Sequence, residues 1–234
     1  MERIAVVTGG SAGIGEASAR ALAADGWKVY VAARRYERCQ RIAEEIGGVA
    51  VELDVTDQGS VDKLAAKLER VDLLVNNAGG AKGVDYLRDA DEERWRWMYE
   101  TNVYGTVRVI KALYPALLEA SGLIINIGSV AGTDAYKGGS GYNAAKFGLR
   151  GLTRALRREE ADNLIRVTEI DPGRVETDFA LNRLEDEERA AAVYEGKLNL
   201  TAEDIAETVR WVASMPAHVN IDTLSIMPLD QAER

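Results

Sequence analysis

Short apolar runs alternate along this chain with longer segments whose apolar residues recur at helical spacing. The apolar runs lie near residues 3–8, 28–33, 49–53, 72–75, 122–127, 164–170 and 221–227. Strands of a parallel sheet are buried on both faces and read as continuous apolar runs, and the segments between these runs are long enough for crossover helices. The pattern predicts an α/β fold with a doubly wound parallel sheet of about seven strands, covered by helices on both faces.

The length and composition favour one domain. The chain has 234 residues, of which 47% are hydrophobic, so it can bury one large core. It contains neither internal repeats nor low-complexity linkers at which a second domain would begin. We therefore predict a single domain over residues 1–234, with its two longest helical segments at about 91–119 and 141–162.

The charge and the termini bear on partners and location. A net charge of -9 argues against binding to nucleic acid or to an anionic membrane as the main task. No stretch approaches the roughly 20 apolar residues of a membrane span, and the sequence enters its first strand without a signal peptide. A single cysteine, Cys39, excludes an internal disulfide. Together these features predict a cytoplasmic protein.

A glycine-rich turn follows the first strand, in the run Thr8-Gly9-Gly10-Ser11-Ala12-Gly13-Ile14-Gly15. The residues from Ile14 to Ala24 are rich in alanine and predict a helix directly after the turn. Gly9 permits a tight turn, while Gly13 and Gly15 allow the backbone to approach a phosphate and the helix to pack on the strand. The free N–H groups at the start of that helix favour a pyrophosphate, although a plain strand-to-helix turn is the alternative.

Tyr142 and Lys146 form the second candidate for chemistry. Residues four apart share one face of a helix, so the ammonium of Lys146 can lie beneath the phenol of Tyr142. A fixed cation favours the phenolate, which brings a group with an ordinary pKa of about 10 toward a neutral working pH. Ser129 follows the apolar run at 122–127 and can hold a substrate oxygen near the same phenol. The alternative is a tyrosine and a lysine on a solvated helix face.

Further motifs occur in a fixed order between these two. Asn76-Asn77-Ala78-Gly79 follows the fourth strand, Asn102 lies in Glu-Thr-Asn-Val, and Asp171-Pro172-Gly173 with Thr177 follows the sixth strand. With the glycine turn and the Ser129, Tyr142, Lys146 set, the chain resembles the short-chain dehydrogenase/reductase family from Ile4 to about Met227. The resemblance implies a Rossmann-type fold and an oxidoreductase that uses a nicotinamide cofactor.

The resemblance also implies residue roles. Tyr142 would donate a proton to the carbonyl oxygen, Ser129 would orient that oxygen, and Lys146 would bind the nicotinamide ribose and tune Tyr142. Asn102 would hold a water that joins Lys146 to solvent. The cofactor would contact Gly9, Ser11, Ala12, Gly13, Ile14, Gly15, Arg34, Arg35, Asp54, Val55, Asn76, Ala78, Gly79, Tyr142, Lys146, Pro172, Gly173, Val175 and Thr177. No metal is expected. Asp54 has an alternative role as a cap for the helix beginning near Asp57.

The end of the second strand indicates the cofactor. Relatives that prefer NAD place an acidic residue there for the ribose hydroxyls, whereas this chain has Ala33 followed by Arg34 and Arg35. A guanidinium binds a 2'-phosphate through charge-assisted, bidentate contacts, so we predict NADP. Many NADP-binding relatives also carry a basic residue where this chain has Ala12. The alternative is that the two arginines only coat the start of a helix.

The substrate is indicated by the C-terminal part. Residues 201–228 resemble a subgroup of NADP-dependent 3-hydroxy acid dehydrogenases that act on serine and allo-threonine, which predicts a small-molecule substrate of that class. Lys82, Lys137, Arg174 and Arg183 are candidate partners for its carboxylate. The alternatives are a 3-oxoacyl carrier-protein reductase, a broad carbonyl reductase, and a non-catalytic protein that senses NADPH.

Assembly and a lid are also implied by the resemblance. The two long helical segments resemble the pair that forms the subunit interface in the family, so we predict a homo-oligomer, most simply a tetramer. Trp95, Trp97, Met98 and Tyr99 would then be core or interface residues. The segment after Thr177 resembles a mobile substrate lid, in which the acidic run 185–188 is expected to be a solvated face.

Overall fold

The computed structural model describes residues 2–231, and its centre is one parallel sheet. The strands are β1 (Ile4–Thr8), β2 (Lys28–Ala33), β3 (Val49–Glu52), β4 (Leu73–Asn76), β5 (Leu123–Ile127), β6 (Arg166–Pro172) and β7 (Thr223–Ile226). They lie in the order β3-β2-β1-β4-β5-β6-β7, and every neighbouring pair is parallel. The predicted α/β fold with a seven-stranded parallel sheet is confirmed.

Helices connect these strands. They are α1 (Gly13–Ala24), α2 (Tyr36–Ile46), α3 (Gln58–Ala65), α4 (Glu92–Tyr99), α5 (Gly105–Ala120), α6 (Ser140–Glu159), α7 (Phe179–Leu184), α8 (Glu187–Tyr194) and α9 (Ala202–Ala213). Local side chains start several of them, since Asp57 caps α3 and Thr201 forms a capping box with Asp204 at α9. Among residues 2–231, no helix is both long and apolar enough to cross a membrane.

Each face of the sheet is covered by a separate group of helices. On one face, α1, α2 and α9 pack their apolar residues, such as Leu22 and Val209, against Val7 and Val29. On the other face, α3, α5 and α6 pack against strand residues that include Ile124. Because successive side chains of a strand point to opposite faces, both faces need apolar residues, which explains the continuous apolar runs.

Two predicted boundaries differ from the structure. The segment predicted as one helix at 91–119 is divided into α4 and α5 by a π-helical turn, Glu100–Tyr104. The sixth strand, predicted at 164–170, runs instead from Arg166 to Pro172. Leu164 has a left-handed φ of 58° and an exposed side chain, so it belongs to the preceding turn despite its apolar character.

The strand order fixes where a site can form. β1 lies between β2 and β4, so the chain leaves β1 on one side of the sheet and returns on the other. The connections diverge at this point and leave a crevice at the carboxyl ends of the strands. The glycine turn, the end of β2 and the ends of β4, β5 and β6 all border that crevice.

Candidate active site

A cavity of about 1050 Å³ occupies this crevice. Its volume lies at the upper end of the range for small-molecule sites, which leaves room for a large ligand beside a small one. Most of the residues predicted from the sequence line it, namely Gly9, Ser11, Ala12, Gly13, Ile14, Arg34, Arg35, Asp54, Val55, Ala78, Gly79, Ser129, Tyr142, Lys146, Pro172, Gly173, Val175 and Thr177.

The glycine turn exposes the start of α1 to the cavity. Gly13 has a φ of 53°, which other residues adopt only with strain, and a Cβ there would lie 3.3 Å from the Thr177 side chain. Ala12 occupies the N-cap position and has no polar side chain with which to satisfy the first N–H groups of α1. These donors and the helix dipole therefore face the cavity, as a phosphate requires.

Gly15 supports this turn from behind. A Cβ at Gly15 would lie 2.4 Å from the carbonyl oxygen of Gly9, so the close contact between α1 and the turn requires glycine. Gly15 is buried in that contact, which makes it a packing residue of the turn.

The end of β2 presents two cations to the cavity. Ala33 is buried, and the exposed residues Arg34 and Arg35 follow it along the cavity wall. The Nε of Arg35 donates to the hydroxyl of Ser11 at 3.1 Å, which ties this arginine to the glycine turn. A phosphate placed here would meet guanidinium groups and no carboxylate at the position of Ala33.

The side chains of the two asparagines at the end of β4, Asn76 and Asn77, make different contacts. Asn76 was predicted to line the cofactor site, but its side chain is buried and donates to Asn126 on β5 at 2.9 Å. Asn77 lines the cavity instead, and its amide donates to the carbonyl oxygens of Thr8 and Gly9 at 3.1 and 3.2 Å. Successive residues at a strand end point to opposite faces, and the sequence gives no signal for which one faces the crevice.

Asp54 follows β3 and lines the adjacent wall of the cavity. Its carboxylate accepts from the amide and hydroxyl of Thr56 at 2.9 and 2.7 Å. Asp57, and not Asp54, is the N-cap of α3, so the alternative role of Asp54 as the cap is wrong.

Ser129, Tyr142 and Lys146 come together at the inner end of the cavity. Ser129 follows β5, and its hydroxyl oxygen accepts from the amide of Ala131, so its hydroxyl proton can donate to the Tyr142 phenol or to a substrate oxygen. Tyr142 and Lys146 lie on α6, with the Nζ of Lys146 5.8 Å from the centroid of the Tyr142 ring. Lys146 donates to the carbonyl oxygen of Ile127 at 2.9 Å, which holds the ammonium below the phenol as predicted.

Burial perturbs both groups on α6. Tyr142 and Lys146 are 8% and 7% exposed. Burial raises the pKa of Tyr142 above its ordinary value, while a hydrogen bond with Ser129 acts in the opposite direction. Burial lowers the pKa of Lys146 to about 8, and the nearby carboxylates of Asp171 and Glu169 limit that shift. In the free chain the phenol is therefore neutral at pH 7, and the lysine is charged but close to titration.

Asn102 lies in the π-helical turn, and its side chain forms hydrogen bonds with the backbone of two other segments. Its amide nitrogen donates to the carbonyl oxygens of Gly80 and Met98 at 2.9 and 2.7 Å, and its amide oxygen accepts from the Gly80 N–H at 3.2 Å. The side chain thus connects the helix to the loop after β4. π-helical turns frequently occur at functional sites. The role of Asn102 in holding a water stays a prediction.

The four candidate cations differ in availability. Lys82 is paired with Glu185 at 2.7 Å, and Arg174 is paired with Asp230 at 2.6 Å. Lys137 is exposed on the loop before α6. Arg183 lies on α7, and one of its buried donor atoms has no hydrogen-bond partner among residues 2–231.

The guanidinium of Arg183 lies over the Tyr142 ring, with its Cζ 5.7 Å from the ring centroid. Its Nε donates to the carbonyl oxygen of Gly83 at 2.8 Å, and its Nη1 donates to the hydroxyl of Tyr136 at 2.7 Å. Within residues 2–231, its buried Nη2 has no hydrogen-bond partner. Arg183 therefore presents an unused charged donor next to the phenol.

The acidic run 185–188 is exposed to solvent, as predicted, and two of its residues also make local contacts. Glu185 contacts Lys82 and Arg94 across the cavity mouth, and Asp186 accepts from the Arg189 N–H to cap α8. Glu187 and Glu188, in the first turn of α8, are exposed as well.

A buried acidic cluster behind the site was not predicted. Asp171 accepts from the Ser129 N–H at 3.1 Å and from Arg150 at 2.8 Å, and Glu169 lies two residues before it on β6. The sequence does carry a signal, since two acidic residues occupy alternate positions of a strand. Their function depends on what faces them across the sheet, which only the fold reveals.

The arrangement suits proton exchange with a substrate oxygen. A neutral phenol, a fixed ammonium and a hydroxyl proton converge at the end of a cavity that is wide enough for a second ligand. Over the part of the chain that the structure describes, residues 2–231, no group of three or more His, Cys, Asp or Glu side chains is placed to hold a metal ion.

This chain is similar to known proteins in both sequence and structure. A sequence profile of the family described as short chain dehydrogenase matches residues 3–188. An uncharacterized oxidoreductase of Mycobacterium tuberculosis is 52% identical over 233 residues, which cover 99% of this chain and 93% of that protein. NADP-dependent 3-hydroxy acid dehydrogenase YdfG of Salmonella typhi is 41% identical over 238 residues, which cover 98% of this chain and 96% of that protein.

A solved structure described as the closed form of serine dehydrogenase complexed with NADP+ is also similar. It superimposes with a TM-score of 0.95 at 39% sequence identity. The alignment covers 98% of this chain and 96% of that one, so the similarity extends over the sheet, the helices and the segment after β6.

Proposed function

The chain belongs to the short-chain dehydrogenase family, and from this membership we propose that it is an NADP-dependent oxidoreductase acting on small 3-hydroxy acids and their 3-oxo partners. Two relatives named above support the choice of cofactor and of substrate class, since one is named for 3-hydroxy acids and the other for serine. The geometry of the cavity supports the same choice independently, through its cations.

The residues around the cavity fit the cofactor. The uncapped start of α1 would hold the pyrophosphate, and Arg34 and Arg35 would hold the 2'-phosphate, since both present cationic donors to the same side of the cavity. When bound, NADPH supplies the hydride that reduces a carbonyl carbon. Thr177 and Lys146 line the inner part of the cavity and are assigned to the nicotinamide end.

Tyr142 would donate a proton to the substrate oxygen or accept one from it, depending on the direction of the reaction. Because burial keeps its phenol neutral, it can donate a proton to a carbonyl oxygen that becomes an alkoxide during reduction. In the oxidation of an alcohol, the same group must accept a proton, which the nearby ammonium of Lys146 favours. Ser129 would orient the oxygen through its hydroxyl proton.

The observation that carries the choice of an acid as substrate is the unused Nη2 of Arg183. A buried donor of a charged group is costly when it lacks a partner, and this one lies beside the proton-donating phenol. A carboxylate separated by one carbon from the reacting carbon would satisfy it while the 3-oxygen faces Tyr142. This arrangement supports a 3-hydroxy acid rather than a simple ketone as substrate.

The test compares free acids with their methyl esters. Charge-assisted hydrogen bonds contribute about 1.5–3 kcal/mol, so Arg183→Ala should lower kcat/KM for 3-hydroxy acids by about ten- to a hundredfold. The same substitution should hardly change kcat/KM for the methyl esters. Arg189→Ala is the matched control, since Arg189 is an exposed arginine on α8 of the same segment. The acid assignment fails if esters and simple aldehydes react faster than acids and Arg183→Ala does not distinguish them.

The cofactor assignment has its own test. Arg34→Asp places a carboxylate where the 2'-phosphate should bind, so the ratio of kcat/KM for NADP over NAD should reverse. Arg41→Asp, on the exposed side of α2, adds the same charge away from the cavity and should leave the ratio unchanged. An unmodified enzyme with equal or better efficiency for NAD would contradict the assignment.

We also propose a symmetric homo-oligomer, most simply a tetramer. Large aromatic side chains are exposed on adjoining elements of the long helical pair, with Tyr99, Tyr104 and Phe147 being 40%, 52% and 45% exposed. A self-complementary helical surface would cover them. Light scattering at micromolar concentration tests the proposal, and a monomer would refute it.

A further inference from the structure

A pair of carboxyl groups is buried beneath Lys146. Glu169 and Asp171 occupy alternate positions of β6, so both project from the sheet face that α6 covers. They are 1% and 0% exposed. Buried carboxyl groups are costly unless they are paired or protonated, so the protonation of this pair bears on the neighbouring site.

Both carboxylate oxygens of Asp171 accept hydrogen bonds. Its Oδ1 accepts from the Ser129 N–H at 3.1 Å, and its Oδ2 accepts from Arg150 on α6 at 2.8 Å. These bonds join the end of β5 to α6 through an ionised carboxylate. Asp171 therefore fixes the backbone that carries the Ser129 hydroxyl.

Glu169 is different, because neither of its oxygens has a hydrogen-bond partner among residues 2–231. A Cβ on Gly128 would lie 2.1 Å from Oδ1 of Asp171 and 2.9 Å from Oε1 of Glu169, so both carboxyl groups reach the space that this glycine leaves open. Two buried carboxylates this close are not both ionised at low cost. A proton on Glu169 resolves the conflict, because Glu169 then donates to Asp171.

Lys146 is one of the charged groups that interact electrostatically with Glu169. Its neighbours across the sheet register, Asn126 on β5 and Thr223 on β7, are uncharged. The charged groups that act on it are Asp171 on β6 and Arg150 and Lys146 on α6. Burial and the charge of Asp171 raise the pKa of Glu169 to about 7, close to the value of about 8 for Lys146. Glu169 thus gains its negative charge just before Lys146 would lose its proton.

We propose that Glu169 is a positioning residue whose ionisation keeps the Lys146 ammonium charged at mildly alkaline pH, while Asp171 holds Ser129 in place. The proposal rests on the role of Lys146 given under Proposed function. At acidic pH the shared proton neutralises Glu169, and Lys146 needs no support. Above neutrality the proton leaves, and the carboxylate stabilises the ammonium.

The first test is the pH profile of NADPH-dependent reduction in Glu169→Gln. The substitution keeps the shape of the side chain and resembles its protonated form, so kcat at pH 6 should be near that of the unmodified enzyme. The alkaline limb should move about 1 pH unit lower, because losing a nearby opposite charge shifts a pKa by about that amount. Glu169→Asp restores the charge and should recover part of the shift.

Glu160→Gln is the matched control. Glu160 is 7% exposed and accepts from the Tyr114 hydroxyl at 2.9 Å. It follows the last residue of α6, about 20 Å along the helix from Lys146. The substitution therefore removes a buried carboxyl of the same type without touching the site, and its alkaline limb should not move.

An infrared titration provides a readout that needs no turnover. The unmodified protein should show a protonated carboxyl band that disappears near neutral pH and is absent in Glu169→Gln. The proposal is overturned if Glu169→Gln removes no such band, or if it lowers kcat by the same factor at every pH, as a purely structural residue would. Should no acid, ketone or aldehyde turn over, the proposed function fails, and the infrared band still decides the state of the carboxyl pair.

Discussion

Two regions border the cavity, and they differ in how they are packed. One is the carboxyl end of the sheet with α6, and the other is the segment after β6 that contains α7 and α8. Ser129 follows β5, and Tyr142 and Lys146 are buried on α6. The Ser129 N–H donates to the buried Asp171 at 3.1 Å, and Lys146 donates to the carbonyl oxygen of Ile127 at 2.9 Å. The segment over the cavity consists of two short helices, α7 and α8, in which few residues are buried and Glu185 forms an ion pair with Lys82 at the surface. The proposed function places proton transfer in the packed end of the sheet, the rigid part, and substrate recognition in residues 177–200, which we call the lid.

The contrast shows how stability and selectivity are separated in this molecule. Reacting groups need fixed geometry, and packed strands and helices provide it. A substrate must enter and leave, which favours a region with few buried apolar contacts and a low cost of local opening. Arg183 belongs to the lid, yet it contacts the Tyr142 ring, so it joins the two regions.

The largest effect should follow from removing one hydroxyl in the rigid part. Tyr142→Phe should lower turnover by about 100-fold or more, because general acid catalysis is lost, while NADPH binding survives. Stopped-flow turnover and a fluorescence titration with NADPH measure the two properties. Tyr114→Phe, which removes a phenol at the far end of α6, should keep its rate. A Tyr142→Phe enzyme with a tenth of the normal rate would show that another group transfers the proton.

The next effect is a difference in the free energy of unfolding between a substitution in the sheet and one in the lid. Ile124 is fully buried in β5, so Ile124→Ala should lower the free energy of unfolding by about 2–5 kcal/mol. Leu181 is 41% exposed in the lid, so Leu181→Ala should change it by about 0.5 kcal/mol or less. Urea unfolding followed by circular dichroism measures both. Equal losses would mean that the lid is part of the cooperative core, and the comparison would fail.

The smallest effect concerns the ion pair between Lys82 and Glu185. Their side chains are 30% and 57% exposed, so solvent screens the pair. Lys82→Ala should change KM by less than about fivefold, and the change should shrink in 1 M salt. Lys137→Ala removes an exposed lysine outside the pair and serves as the control. A large, salt-independent change in KM would place Lys82 in contact with substrate.

Local patterns were sufficient for the fold and for much of the site. The apolar runs predicted all the strands, since burial on both faces demands continuous apolar residues, and the motifs predicted the family, which is confirmed. Local patterns were insufficient where a local rule had two outcomes. Asn76 and Asn77 are equally polar neighbours, and only the orientation of β4 decides which one faces the cavity.

The sequence by itself determined the elements that depend on local spacing. The glycine turn, the pairing of Tyr142 with Lys146 on one helix face, and the order of strands and helices follow from neighbours within a few residues. Only the tertiary structure decided the contacts between distant segments. It brought Arg183 over Tyr142 and Glu169 and Asp171 behind Lys146, because burial and charge at those positions depend on strands and helices that pack from elsewhere in the chain.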